Sequence, residues 1–218
     1  HKTITTISIF SDADYFIEKT DDEFFYISTP KGKFELIKKN SSEILAINLL
    51  FSIALAMEAG ADIQSVKDGI YSFSGVQGRF FSFISSNKST VIDDSYNANP
   101  ESMKSSLNQI KHFKKTKIFI MGDMGELGER SLDHHLSIFK LAKDIGVKYL
   151  LYMGKYKNEA KSVFGDSCRT FDDIIKLTDY ARSVSDENTV VLIKASRFMN
   201  FDIICLLYTS DAADEKRC

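Results

Sequence analysis

Hydrophobic positions along the chain fall into two regimes. Up to about residue 77 the apolar runs are short and of mixed type. Residues 3–9 alternate isoleucine with threonine or serine, residues 24–28 are aromatic, and residues 33–37 follow the turn Pro30-Lys31-Gly32; each predicts a short strand. An apolar stretch over residues 42–59, stopped by Gly60, predicts a helix. Asp62 then caps a second helix, which carries Ile63, Val66, Ile70 and Tyr71 at helical spacing. Gly75 and Gly78 interrupt the pattern, and a domain boundary is expected there, between residues 1–77 and residues 78–204.

From Arg79 onward strands and helices alternate. Val91-Ile92 and residues 117–121, 149–152 and 189–193 read as apolar strands. Residues 132–144, 158–164 and 172–183 read as helices, and a further helix opens at Asn99, with Pro100 at its first position and Glu101 in its first turn. Strands that are apolar throughout, separated by amphipathic helices, predict an α/β domain whose mainly parallel sheet is covered on both faces. Ligands of such sheets bind beyond the carboxyl ends of the strands. The polar, glycine-rich and charged segments lie at those ends: Asp93-Asp94-Ser95-Tyr96-Asn97, Gly122-Asp123-Met124, Gly154 and Lys194-Ala195-Ser196-Arg197.

Composition narrows the class. The 218 residues are 44% hydrophobic and 27% charged, which excludes a disordered chain, a collagen-like repeat and a disulfide scaffold. A net charge of −2 gives no basic excess for nucleic acid or an anionic membrane. The longest apolar run, residues 44–57, is interrupted by Asn48 and Ser52 and falls short of the ~20 residues of a membrane span. The start, His1-Lys2-Thr3, is no signal peptide, and a cytoplasmic protein or a fragment of one is expected. Residues 205–215 back-translate codon by codon to a transposase adapter used in sequencing libraries, so residues 205–218 are expected to be a non-native tail and carry no weight in reading the fold. Cys168 is then the one remaining cysteine, which supports neither a disulfide nor a cysteine metal site.

Several groupings could carry chemistry. Asp93 to Pro100 ends a strand and opens a helix, whose free N–H groups and dipole suit an anion, while Tyr96 and Asn97 add a flat face and hydrogen bonds for a base or ribose. The same stretch also reads as a plain capped turn with a solvated Asp93. Arg79, beside Gly78 at the boundary, could grip a phosphate or sit idle on the surface. The three glycines of residues 122–128 permit close backbone approach to a ligand but match neither G-x-G-x-x-G nor a Walker A loop. Lys194, Ser196 and Arg197 suit a carboxylate or phosphate, or form an exposed basic turn. Asn48, an amide inside an apolar helix, either finds a buried partner or projects into a cleft. His134 and His135 lack a second cluster at metal-ligand spacing, so no metal site is expected and packing is the simpler role. Cys168, with no base nearby in sequence, reads as an inert thiol.

Taken together, these segments resemble the Mur ligases. Asp93-Asp94-Ser95-Tyr96-Asn97-Ala98-Asn99-Pro100 and Gly122-Asp123-Met124-Gly125-Glu126-Leu127-Gly128 with His135 are similar to signatures of the branch that adds D-alanyl-D-alanine to UDP-N-acetylmuramoyl-tripeptide. Gly78-Arg79, Lys194-Ala195-Ser196-Arg197, Asp12-Ala13-Asp14 and Asn48 with its alanine-rich helix resemble further family segments, in order, over about residues 8–202. The resemblance implies a Rossmann-like C-terminal domain preceded by the C-terminal part of a P-loop-type α/β central domain. It implies an ATP- and Mg2+-dependent amide ligase of peptidoglycan precursor synthesis that works through an acyl phosphate, with UDP-N-acetylmuramoyl-tripeptide and D-alanyl-D-alanine as substrates and a monomeric state at full length. Asn48 would hold the adenine, Arg79 and Asp94 would reach the nucleotide and serve catalysis, and Tyr96 and Asn97 would line the same cleft. Lys194, Ser196 and Arg197 would lie on the substrate side. The usual His-Asn ahead of the alanine-rich helix is Ile44-Leu45 here, and no G-x-x-x-x-G-K-[ST] occurs in the 218 residues. By resemblance that loop, the magnesium carboxylate and a modified lysine belong upstream, so the chain by itself is expected neither to turn over nor to bind ATP tightly. Two other readings compete: a non-catalytic nucleotide-binding module, and another Mur or folylpolyglutamate-type ligase, against which Ser95 to Pro100 argues.

Overall fold

The computed structural model describes residues 4–10, 12–38 and 43–214. The chain divides into two compact units, the first ending at Ser74 and the second starting at Gly75.

The first unit is a four-stranded sheet covered by two helices. Strands β1 (Ile7–Ser8), β2 (Tyr15–Thr20), β3 (Phe24–Thr29) and β4 (Gly32–Ile37) lie in sequence order, with β1 parallel to β2 and the other pairs antiparallel. The tight β3–β4 connection works because Gly32 adopts φ +130°, open to glycine but not to other residues. Phe25, Ile27 and Thr29 alternate inward along β3. They face helices α1 (Glu43–Glu58) and α2 (Ile63–Ser72), and Leu50, Ile53 and Met57 close the core with Tyr15 and Leu36. The end of α1 is capped from a distance: the Lys31 ammonium donates to the carbonyls of Met57 (2.8 Å) and Ala61 (3.0 Å). Asp62 caps α2 as its sequence position predicts, accepting from the Ser65 N–H at 2.7 Å. The strand expected over residues 3–9 shortens to Ile7–Ser8, and Thr3 lies outside the described residues. Strand β2 was not predicted, because its second half, Glu18-Lys19-Thr20, is exposed and polar.

The second unit is a doubly covered sheet. Strands β5 (Phe81–Ile84), β6 (Thr90–Asp93), β7 (Thr116–Gly122), β8 (Val147–Met153), β9 (Cys168–Thr170) and β10 (Thr189–Lys194) take the order β5-β6-β10-β7-β8-β9. Every pair is parallel except β5–β6. Helices α3 (Pro100–Lys111), α4 (Ser131–Asp144) and α5 (Lys157–Phe164) bury Met103, Leu107, Ile138 and Phe139 against Ile92, Phe119, Leu150 and Leu192 on one face. Helices α6 (Ile174–Ser183) and α7 (Asp202–Asp214) bury Leu177, Ala181, Ile204 and Tyr208 against Val91, Ile118, Leu151 and Val191 on the other. All six residues of β10 are buried, as expected of a central parallel strand.

The segment expected to be a non-native tail is helical in its described part: α7 continues through residue 214, with Cys205 and Tyr208 in the core. The reason is local: Ile204 and Tyr208 are four residues apart on one helical face, so the apolar spacing begun by Ile204 carries on into the tail. Helix formation says nothing of how those codons arose, and residues 215–218 lie outside the described residues. No helix among the described residues is long and apolar enough to cross a membrane.

Candidate functional site

Because β10 lies between β6 and β7, three loops meet at the carboxyl edge of the sheet: those after Asp93, after Gly122 and after Lys194. The first is anchored by Asp93, which is 5% exposed. Its carboxylate accepts from the Gly78 N–H (2.8 Å), the Ser95 N–H (3.1 Å) and the Ser95 hydroxyl (2.6 Å). The solvated Asp93 of the plain-turn reading is therefore replaced by a buried anchor. Gly78 is needed at this crossing. Its φ is +79°, Tyr96 donates its N–H to the Gly78 carbonyl at 3.0 Å, and a Cβ at Gly78 would stand 3.3 Å from that nitrogen. Asn99 closes the loop with a capping box, exchanging bonds with Ser102 at 2.8 and 3.1 Å, and Pro100 opens α3.

Asp94 is held from within. Its Oδ1 accepts from the Phe80 N–H (3.1 Å), and its Oδ2 accepts from the Ser106 hydroxyl (2.5 Å) and the Lys194 ammonium (2.6 Å). Lys194 is 2% exposed and also donates to the Asn97 carbonyl at 3.0 Å. Ser196 is equally buried: its hydroxyl accepts from the Gly125 N–H (2.7 Å) and donates to the Ala98 carbonyl (3.1 Å), while its own N–H bonds the Asp123 carbonyl (3.0 Å). The exposed basic turn is thus excluded for Lys194 and Ser196; of the three, Arg197 alone is exposed.

The glycine loop after β7 is packed inward. A Cβ at Gly122 would fall 2.6 Å from the Ala195 Cβ and 2.9 Å from the Phe201 ring. The Asp123 carboxylate accepts a short hydrogen bond from the Tyr152 hydroxyl and another from the Lys155 N–H (3.2 Å). Burial and this acceptor push the Tyr152 phenol far above its ordinary pKa. The Met124 N–H donates to His135 Nε2 at 3.0 Å, and Nδ1 lies 2.7 Å from the Ser131 carbonyl, so the imidazole is neutral with its proton on Nδ1. Burial lowers the His135 pKa against the opposing pull of Asp123, whose carboxylate is 3.6 Å away. The N–H groups of Met124 and Gly125 are therefore committed to protein partners rather than offered to a ligand.

The exposed groups converge on one ring. Tyr96 is 49% exposed; the Arg79 guanidinium lies 4.3 Å from its ring centroid and that of Arg197 lies 5.9 Å away. Arg197 also approaches Asp202 at 3.6 Å. Tyr96, Arg197, Asp202, Gln77 and Ser95 border a cleft of about 400 Å³. Asn97 is exposed beside them, its side-chain oxygen accepting from the Ala98 N–H at 2.9 Å. An aromatic face with two guanidinium groups suits an anionic ligand with a flat ring. The same residues do not fit a divalent cation: Asp94 is neutralised by Lys194, and no group of three His, Cys, Asp or Glu side chains among the described residues is arranged to hold a metal. Asn48 is exposed on α1, within the first unit. Cys168 is buried, and burial raises its thiol pKa to about 11, in keeping with an inert thiol.

A family model described as "Mur ligase, glutamate ligase domain" matches residues 78–197, more than half of the chain. The chain belongs to the Mur ligase family. Two curated relatives are named UDP-N-acetylmuramoyl-tripeptide–D-alanyl-D-alanine ligase. The one from Escherichia coli is 27% identical over 174 residues, covering 79% of this chain and 38% of its own length. The one from Haemophilus influenzae is 30% identical over 186 residues, covering 82% and 40%. The chain thus spans about two fifths of these relatives. A crystal structure of MurF from Acinetobacter baumannii superposes with a TM-score of 0.81 at 21% identity, over 94% of this chain and 46% of that one. The MurF ligase of Thermotoga maritima, solved in complex with ADP, gives 0.70 at 21% identity, over 95% and 48%. These superpositions support the α/β fold with its mostly parallel second sheet.

Within this Mur ligase chain, reading the sequence found the three loops but missed how they are joined. Asp123, Tyr152 and Ser106 were not singled out as supports, and His135 was read only as a packing residue without its bond to Met124. A usable signal existed for His135, which stands three, four and seven residues ahead of the buried Ile138, Phe139 and Ala142 and so shares the apolar stripe of α4.

Proposed function

We propose that this chain is the C-terminal part of an ATP-dependent amide ligase that joins D-alanyl-D-alanine to UDP-N-acetylmuramoyl-tripeptide in peptidoglycan precursor synthesis. The observation that carries the reading is the loop after β6, whose Asp93-to-Pro100 sequence presents Tyr96 between Arg79 and Arg197 in a family whose similar relatives bear that activity in their names. In the reaction, ATP transfers its terminal phosphoryl group to the tripeptide carboxylate and leaves as ADP. The dipeptide amine attacks the acyl phosphate, and the tetrahedral intermediate collapses with release of phosphate. The protein's share is to position anions and offset developing charge.

Arg79, Tyr96 and Asn97 serve the nucleotide side, with Asp94 holding the backbone that presents them and Asn48 meeting the adenine. Arg197 serves the substrate side. The ADP in the T. maritima structure supports a nucleotide in this family. The magnesium ligands belong to the rest of the protein, which works as a cytoplasmic monomer. The 218 residues contain no P-loop motif, so we expect no turnover and no tight ATP binding from this chain by itself.

The test uses the full-length gene product. Phosphate release from ATP that requires both UDP-N-acetylmuramoyl-tripeptide and D-alanyl-D-alanine is the expected result. Equal release when the dipeptide is replaced by D-glutamate or L-alanine overturns the substrate assignment, and ligation by the 218-residue chain overturns its dependence on the missing part.

A further inference from the structure

We propose that Lys194 and Ser196 are positioning residues, forming a two-pronged clamp that joins the loops after β6 and β7 and fixes Tyr96 and Asn97 for the ligand. What the clamped loops bind rests on the ligase reading above. The clamp itself follows from placement. Lys194 ends β10, and Ser196 continues extended at φ −66°, ψ 151°, so the two side chains, two residues apart, project to the same side. Ala195 between them packs in the core of the opposite face, with Phe201.

Neither prong has a donor left for a ligand. The Lys194 ammonium has three N–H bonds and three acceptors in reach: Asp94 Oδ2 (2.6 Å), the Asn97 carbonyl (3.0 Å) and the Asp94 carbonyl (3.5 Å). The one hydroxyl proton of Ser196 goes to the Ala98 carbonyl, and its oxygen accepts from Gly125. Both side chains are at least nine-tenths buried. A lysine and a serine beside an anion site invite a role in contacting substrate; here they are satisfied by the protein. The bonds fall on the carbonyls of Asn97 and Ala98, immediately after Tyr96, whose own N–H is tied to Gly78. Three fixed points therefore bracket the ring that stacks on Arg79. Position errors of about 1 Å are enough to cost ~100-fold in a site of this kind.

The experiment compares the full-length ligase with its Lys194→Met and Ser196→Ala forms, reading KM for each substrate and kcat. Lys194→Met keeps the hydrocarbon stem and removes the ammonium. The clamp requires a rise of about 10-fold or more in the KM for ATP for one or both variants, with the KM for D-alanyl-D-alanine and for the tripeptide held within about twofold. It also requires non-additivity with Arg79→Ala: the double variant raises KM for ATP by less than the product of the single effects, because both act through the Tyr96 stack. A rise confined to the KM of the dipeptide or tripeptide assigns Lys194 to direct substrate contact and overturns the proposal, as do unchanged constants in both variants.

If Lys194→Met fails to fold because Asp94 loses its counter-charge, the double variant Asp94→Asn/Lys194→Met and Ser196→Ala carry the test. An inactive wild-type enzyme refutes the ligase reading but not the clamp. In that case amide hydrogen exchange in the 218-residue chain decides: the Tyr96 N–H should exchange about 10-fold faster in the variants while β8 stays unchanged, and unaltered Tyr96 exchange overturns the clamp.

Discussion

Acidification should loosen the second unit through His135, and the structure gives both the sign and the ceiling of the effect. His135 is 0% exposed, and its pKa lies below the ordinary 6.5, chiefly because burial disfavours the imidazolium. Nδ1 already carries a proton toward the Ser131 carbonyl, so a second proton must go to Nε2, which faces the Met124 N–H at 3.0 Å. Donor would meet donor. The groups around the ring do not reverse this: the Asp123 carboxylate favours the cation, whereas Lys155 and His134 oppose it, and the Tyr156 ring packs on the imidazole at 4.5 Å. In the unfolded chain the imidazole titrates near 6.5, so below that pH the unfolded state binds the extra proton and the folded state does not. Stability is therefore fully present above about pH 6.5 and falls as the pH drops toward the lower folded value. A one-proton difference sets the steepest slope at about 1.4 kcal/mol per pH unit.

The comparison is between wild type and His135→Gln, at pH 7.5 and at pH 5.5. Glutamine can donate to the Ser131 carbonyl and accept from Met124, yet does not titrate. Cys168 and Cys205 are buried and both lie in the second unit, so labelling them with dithiodipyridine across a urea series reports the unfolding of that unit alone, in a Cys218→Ser background. Wild type should lose more than the variant between the two pH values, by at most about 1.4 kcal/mol. Other titrating groups act on both proteins and cancel. Equal losses, to within about 0.3 kcal/mol, would refute the donor-against-donor argument.

Three further outcomes follow from packing. Tyr208→Ala empties a nearly fully buried site on α7 and should cost about 3–5 kcal/mol by the same thiol assay, whereas a tail standing outside the fold would lose nothing. Gly122→Ala puts a methyl 2.6 Å from the Ala195 Cβ and should lower the unfolding free energy by about 1–3 kcal/mol; Ala195→Gly in the same chain should return part of that loss. Phe51 and Leu55 leave an apolar stripe on α1 open at 50% and 71% exposure, so Phe51→Ser/Leu55→Lys should reduce concentration-dependent association of the isolated chain in sedimentation velocity.

Elements with a strong local signal were legible in the sequence. The central strands β7 and β10 are continuous apolar runs, and α3 announces itself through Asn99 and Pro100. Strands β5 and β9 were not legible, for different reasons. In β5 the alternation of Phe81-Ser82-Phe83-Ile84 is short and lies at the sheet edge, where two of its four positions are exposed. Strand β9 has three residues, too few for any period to show. The boundary glycines were visible, but the demand for Gly78 in particular arises from its crossing with Tyr96, which no local pattern encodes.

The site shows the same division more sharply. Tyr96, Asn97, Arg79 and Arg197 could be picked out because each stands beside a strand end or the boundary, and they are the residues that stay exposed. The split of Lys194 and Ser196 from Arg197 could not. Their partners are 100 residues away at Asp94, 98 at Ala98 and 71 at Gly125, and these come within reach only because β10, last of the strands in the chain, is inserted between β6 and β7. Spacing in the sequence cannot distinguish a basic residue that greets a ligand from one that neutralises a buried carboxylate, since both need a cation just past a strand. Strand order decides it. An edge strand would have left Lys194 in solvent, whereas a central strand gives it neighbours on both sides, and a buried ammonium must then be paired with a charge. Asp94 is that charge, so a carboxylate to which the family resemblance gives a nucleotide role is, in the folded chain, first of all the counter-ion of β10.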